Sequence, residues 1–162
     1  MTTGTHFIEK LGAAELHWFF VQAEQALNAE LYIPACVSFI NGIEASLRVT
    51  NHQLASKAVD DELGPTLSNS LLWQSRERGI PIAELAFPSE ADFDAKIEKR
   101  QPYAEVVRIR HNLAHGNVMD YINQEYGVFT PECLRDLGAQ LLKITNVWAE
   151  SLGKFRADNL SY

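Results

Sequence analysis

Apolar residues recur at helical spacing in four long segments, with neither strand alternation nor an Asn-Gly hairpin signal between them. The first segment runs from about Phe7 to Asn28 and carries two stripes, one through Leu11, Ala14, Trp18 and Val21 and one through Leu16, Phe20, Ala23 and Leu27. A helix with two stripes meets neighbours on two sides. The second runs from about Ile33 to Thr50 on a stripe of Ile33, Val37, Ile40 and Leu47, with Pro34 tolerated in its first turn. The third covers about Pro102 to His115 and stops at Gly116, which accepts the left-handed conformation common just past a helix end. The fourth opens at Thr130-Pro131-Glu132, a capping residue followed by proline and an acidic first turn, and continues to about Phe155. Leu134, Leu137, Leu141, Ile144, Trp148 and Phe155 line one face of it.

The pattern predicts an all-α fold, an up-and-down four-helix bundle with an extra helical insertion between the second and third long helices. The insertion spans about residues 51–101 and is punctuated by Gly64-Pro65, Gly79-Ile80-Pro81 and Phe87-Pro88. Within it the pattern predicts a helix from about Leu67 to Arg78 and a shorter one near Glu90 to Lys99, where Ser89 and Asp92 suit a capping arrangement.

Two charges interrupt the apolar faces. On a wheel of about 100° per residue, Glu44 falls inside the arc of the second helix, between Ile33 and Val37 and beside Ile40. Arg110 falls near the middle of an arc of Tyr103, Val106, Val107, Leu113 and Ala114 on the third. An isolated buried ion costs several kcal/mol, so two opposite charges facing one core are expected to pair. Such a pair either sets helix register or holds a functional arginine. His111 and His115 stand one turn apart, at the edge of the Arg110 stripe and toward the helix C-terminus. The negative end of the helix dipole favours an imidazolium there, and imidazole exchanges protons at cellular pH, as general acid–base work requires. His115 capping its own helix carbonyls is the plainer alternative. His at i and i+4 can also share one metal ion, although no third ligand is evident and HExxH is not matched, so no cofactor is expected.

Composition narrows the partners. The 162 residues are 46% hydrophobic, which suits one domain over residues 1–162 with one core. Lys and Arg number 14 against 21 Asp and Glu, a net charge of −7, so any RNA contact must be local. Arg48, Lys99, Arg100, Arg108 and Arg110 supply a positive patch only if the fold gathers them. Cys36 and Cys133 form no CxxC pair, and no leader-like N-terminal pattern is present, from which we expect a reducing cytoplasm. No apolar run approaches the ~20 residues that cross a bilayer, so no membrane role is expected.

The stretch Arg110-His111-Asn112-Leu113-Ala114-His115 resembles the Arg, four-to-six residues, His signature of the HEPN superfamily, including a polar residue directly after the arginine. Residues 34–48, PACVSFINGIEASLR, resemble the earlier core-facing helix of many members, in which an acidic or amide residue supports the motif. The resemblance implies a helical bundle, frequent homodimerisation and, in many members, metal-independent RNA cleavage in toxin, antiphage or RNA-processing roles. It assigns catalysis to Arg110 and His115, with Glu44, His111 and Asn112 in support. Other members are binding modules, so a non-catalytic scaffold acting through a protein partner is the rival expectation. Toxin members paired with nucleotidyltransferase antitoxins resemble R-x4-H-x-Tyr; here Asn117 stands at the tyrosine position, which argues against that particular regulation but leaves an antitoxin among the partners the resemblance implies.

Overall fold

A computed structural model describes residues 5–13, 15–55 and 65–160. Among the described residues seven α-helices follow one another: α1 (Thr5–Leu11), α2 (His17–Asn28), α3 (Tyr32–Leu54), α4 (Asn69–Glu77), α5 (Phe93–Ile97), α6 (Glu105–His115) and α7 (Arg135–Asn159). Short 3₁₀ turns cover Ala83–Leu85, Met119–Tyr121 and Pro131–Leu134. No strand occurs among the described residues, only an isolated bridge between Asn123 and Val128, so the fold is all-α.

The first segment is two helices rather than one. Gly12 takes φ +60°, a left-handed conformation that ends α1 and sends α2 off in a new direction. The chain then doubles back, and Phe7 of α1 stacks on Phe20 of α2 at 5.3 Å between ring centres. Because the helical phase is lost at the break, the two predicted stripes do not hold: Leu11, Leu16, Phe20, Val21 and Ala23 are buried, but Trp18 is 53% exposed. Ala14 lies outside the described residues, as does Gly64 of the predicted Gly64-Pro65 break.

The second helix is longer than predicted, and its buried face is rotated. α2, α4, α6 and α7 all pack on α3, which therefore buries Ala35, Cys36, Phe39, Ile40, Ile43 and Leu47 while leaving Ile33 exposed. Glu44 consequently sits at the margin of the packed face rather than inside it. At Gly42 an added Cβ would lie 2.8 Å from the ring of Phe20, so the small residue is what lets α2 approach.

The insertion belongs to the same core. Its Leu67, Leu71, Leu72, Ile82, Leu85, Phe93 and Ile97 are buried together with residues of the long helices, and the Trp148 indole of α7 donates to the Pro81 carbonyl at 2.8 Å. Ser68 caps α4 by accepting the Leu71 N–H at 3.1 Å, and Gly79, at φ +81°, turns the chain after it. Asp92 occupies the cap position of α5 without making a side-chain capping bond. Gly116 takes φ +68° after α6, as predicted. The fourth segment opens with a 3₁₀ turn behind Thr130 before α7 begins.

Candidate functional site

α6 is positioned from the insertion. The Asn69 amide, 3% exposed, donates to the carbonyls of Lys96, Lys99 and Pro102 at 3.0, 2.9 and 2.9 Å and accepts the Ala104 N–H at 2.9 Å. The Glu90 carboxylate accepts the Glu105 N–H at 2.7 Å, capping α6, and the Lys96 ammonium at 3.0 Å. Burial pulls the Lys96 pKa down, but hydrogen bonding and attraction to Glu90 outweigh it and leave the value raised. These contacts hold the first turn of α6 against α4 and α5. Sequence reasoning did not find Asn69 or Glu90; each sits where local pattern suggests a surface residue.

One turn further on, Oε2 of Glu44 accepts both Arg110 Nε–H at 3.2 Å and the Leu67 N–H at 2.8 Å, while Oε1 faces Arg48 at 3.9 Å. One carboxylate thus ties α3 to α6 and to the entry of α4. The expected pairing is present, at lower burial than the helical wheel suggested, with side chains 17% exposed for Glu44 and 28% for Arg110. The buried face of α6 is Val106, Val107, Ile109 and Asn112, whereas Ala114 is exposed, so Arg110 lies on the edge facing α3. Its two terminal nitrogens make no hydrogen bond among the described residues. The residue lines an open depression with Val37, Ile40, Asn41, Leu113 and Ala114.

A short ladder of rings runs along α6, from Tyr103 just before the helix to His115 at its last residue. Tyr103 and His111 lie 5.7 Å apart and His111 and His115 4.6 Å apart, with His111 half-buried and His115 exposed. Asn112 is elsewhere. It is 6% exposed and donates to Asp120 at 3.0 Å and to the Tyr121 hydroxyl at 3.2 Å, fastening the turn that follows the helix. Facing inward, it is not placed to touch a ligand beside the histidines, and its support for the motif can only be indirect. Arg108 is held by Glu105 and Asp120, and the Glu105 hydrogen bond raises its pKa. Of the arginines and lysine that could form a positive patch, the fold gathers Arg48 and Arg110 at Glu44 and neutralises Arg108.

No group of three or more His, Cys, Asp or Glu side chains that could hold a metal occurs among the described residues, and no described helix is long and apolar enough to cross a membrane. No family model matches the chain, and comparison with curated proteins and with solved structures finds no match.

Proposed function

We propose that the chain is a HEPN-type metal-independent endoribonuclease, built as an up-and-down helical bundle and acting as a homodimer. The observation that carries this reading is Arg110: its Nε is held by Glu44 while both terminal nitrogens remain available, on the helix that presents His115 at its open end. A guanidinium held at one edge offers a planar fork to a phosphate. The ribose 2′-OH would give its proton to His115 as its oxygen bonds to the adjacent phosphorus, and Arg110 would stabilise the charge growing on the phosphoryl oxygens. The bond to the 5′-oxygen then breaks, and that oxygen takes a proton. One chain supplies one such histidine, so a second copy across a two-fold would supply the other proton-transfer group. Toxin, antiphage and RNA-processing roles all fit this chemistry, in a cytoplasmic setting.

The test is incubation of purified protein with mixed RNAs under chelator. Cleavage by wild type and its loss in His115→Ala, on the order of 10²–10⁴-fold for an acid–base group, is the expected result. Light scattering at micromolar concentration should give twice the chain mass. The net charge of −7 and the neutralised Arg108 favour a second reading, a binding module with a protein partner. Intact RNA with wild type and mutant alike would transfer the assignment to it.

A further inference from the structure

His111 transfers no proton in the proposed chemistry, yet its ring stands directly against that of His115, which does. We propose that His111 and His115 together bind a divalent transition-metal ion of the Zn²⁺ class, and that the bound ion silences His115; the second half of this statement rests on the ribonuclease reading, the first does not.

Geometry is the first support. A Zn–N bond of about 2.0–2.1 Å places the metal roughly 3.2 Å from each imidazole centre, so two rings sharing one ion at angles of about 90–110° have centres about 4.5–5.2 Å apart. The two rings stand 4.6 Å apart and are tilted by 53°, already at that separation. Among the chain's five histidines this is the one pair spaced i and i+4, the spacing that puts two imidazoles on one helix face. Their position is the second support. The pair lies in the C-terminal half of an eleven-residue helix, with His115 in its last turn next to the backbone carbonyls whose partial negative charge favours a cation. Among the described residues their ring contacts are with each other and with Tyr103, so no salt bridge has to be broken to admit an ion.

Imidazole is a ligand for zinc, copper and nickel, and water would complete the coordination shell. Two protein ligands make a weaker site than the four of a structural zinc centre, one that fills and empties with the supply of metal. A ring nitrogen whose lone pair is bound to the ion cannot accept the 2′-OH proton. Metal would therefore act as an inhibitor of metal-independent cleavage, and a chelator would preserve activity.

The experiment titrates Zn²⁺ alone into untagged protein, in competition with a chromophoric chelator. His111→Ala and His115→Ala should each weaken the tightest site at least about tenfold, because two linked ligands gain from effective concentration, whereas a loss within about threefold for either variant would overturn the shared site. In the cleavage assay, Zn²⁺ at the concentration that fills the wild-type site should suppress turnover by wild type by a much larger fraction than turnover by His111→Ala. Equal inhibition of the two would overturn the inhibitory role. The two readings fail separately: a tenfold loss of Zn²⁺ affinity in a protein that cleaves no RNA keeps the metal site and removes the ribonuclease, while cleavage without that loss does the reverse.

Discussion

Arg110 Nε lies 3.2 Å from the Glu44 oxygen that also receives the backbone N–H of Leu67 at 2.8 Å. The three groups come from α6, α3 and the approach to α4, so the site arginine is registered to the insertion as well as to its partner helix. Arg48 approaches the same carboxylate from one turn further along α3.

Partial exposure of this cluster sets the size of the mutational effect. Exposed ion pairs contribute about 0–1 kcal/mol and breaking fully buried ones costs about 3–5 kcal/mol, so Arg110→Ala should destabilise by about 1–2 kcal/mol. Glu44→Ala should cost more, since the Leu67 N–H loses its acceptor together with both arginines. Urea unfolding of the two variants checks the order. Arg110→Lys should retain most of the stability and, on the proposed ribonuclease reading, lose at least about tenfold in RNA cleavage, because lysine keeps the charge without the planar fork.

Asn69 should be among the most sensitive polar positions in the chain. Its single amide satisfies three carbonyls and one N–H in a nearly closed environment. Removing it strands several of these at about 1–3 kcal/mol each, partly relieved by water, so Asn69→Ala should cost at least about 2 kcal/mol in chemical denaturation. Hydrogen exchange should speed up first at Ala104, whose N–H loses its acceptor, and then in the opening turn of α6.

Gly153 marks the crossing of α1 and α7. A Cβ there would lie 1.7 Å from the Lys10 carbonyl oxygen and 2.8 Å from its carbon, and backbone cannot step aside as a flexible side chain can. Gly153→Ala should destabilise by about 2–4 kcal/mol through forced separation of the helices, despite the better helix propensity of alanine. A thermal melt showing gain rather than loss would contradict the crossing.

The two cysteines should separate cleanly by reactivity. Cys36 is fully buried in α3, and burial pushes its thiol from 9.0 up to about 12, whereas Cys133 is half-buried in the turn before α7. At pH 8 an aromatic disulfide reagent should titrate one thiol per native chain and two after unfolding. The same shift has a stability consequence. Above about pH 9 the unfolded chain releases the Cys36 proton while the native state retains it, so this group lowers stability progressively as pH rises from 9 toward 12. Cys36→Ala should flatten that alkaline decline.

What was legible in the sequence is what a single helix determines for itself. Periodicity located α3, α6 and α7 but ran α1 and α2 together, Gly116 marked the end of α6 by its freedom at positive φ, and opposite charges on the apolar faces of α3 and α6 announced the pairing of Glu44 with Arg110. The His111–His115 pairing followed from the 3.6-residue period alone. Which face of each helix is buried was decided only in three dimensions, because burial depends on how many neighbours arrive and from where. α3 is surrounded by four helices, so its buried face widened to Phe39 and Ile43 and turned away from Ile33, leaving Glu44 at the margin. Asn112 looks like a surface residue of the motif and points inward, because its partners Asp120 and Tyr121 lie on a turn that local pattern does not place. Asn69 and Glu90 were invisible for the same reason: a polar side chain announces a hub only once the carbonyls and N–H groups it satisfies have been brought around it, from up to 35 residues away.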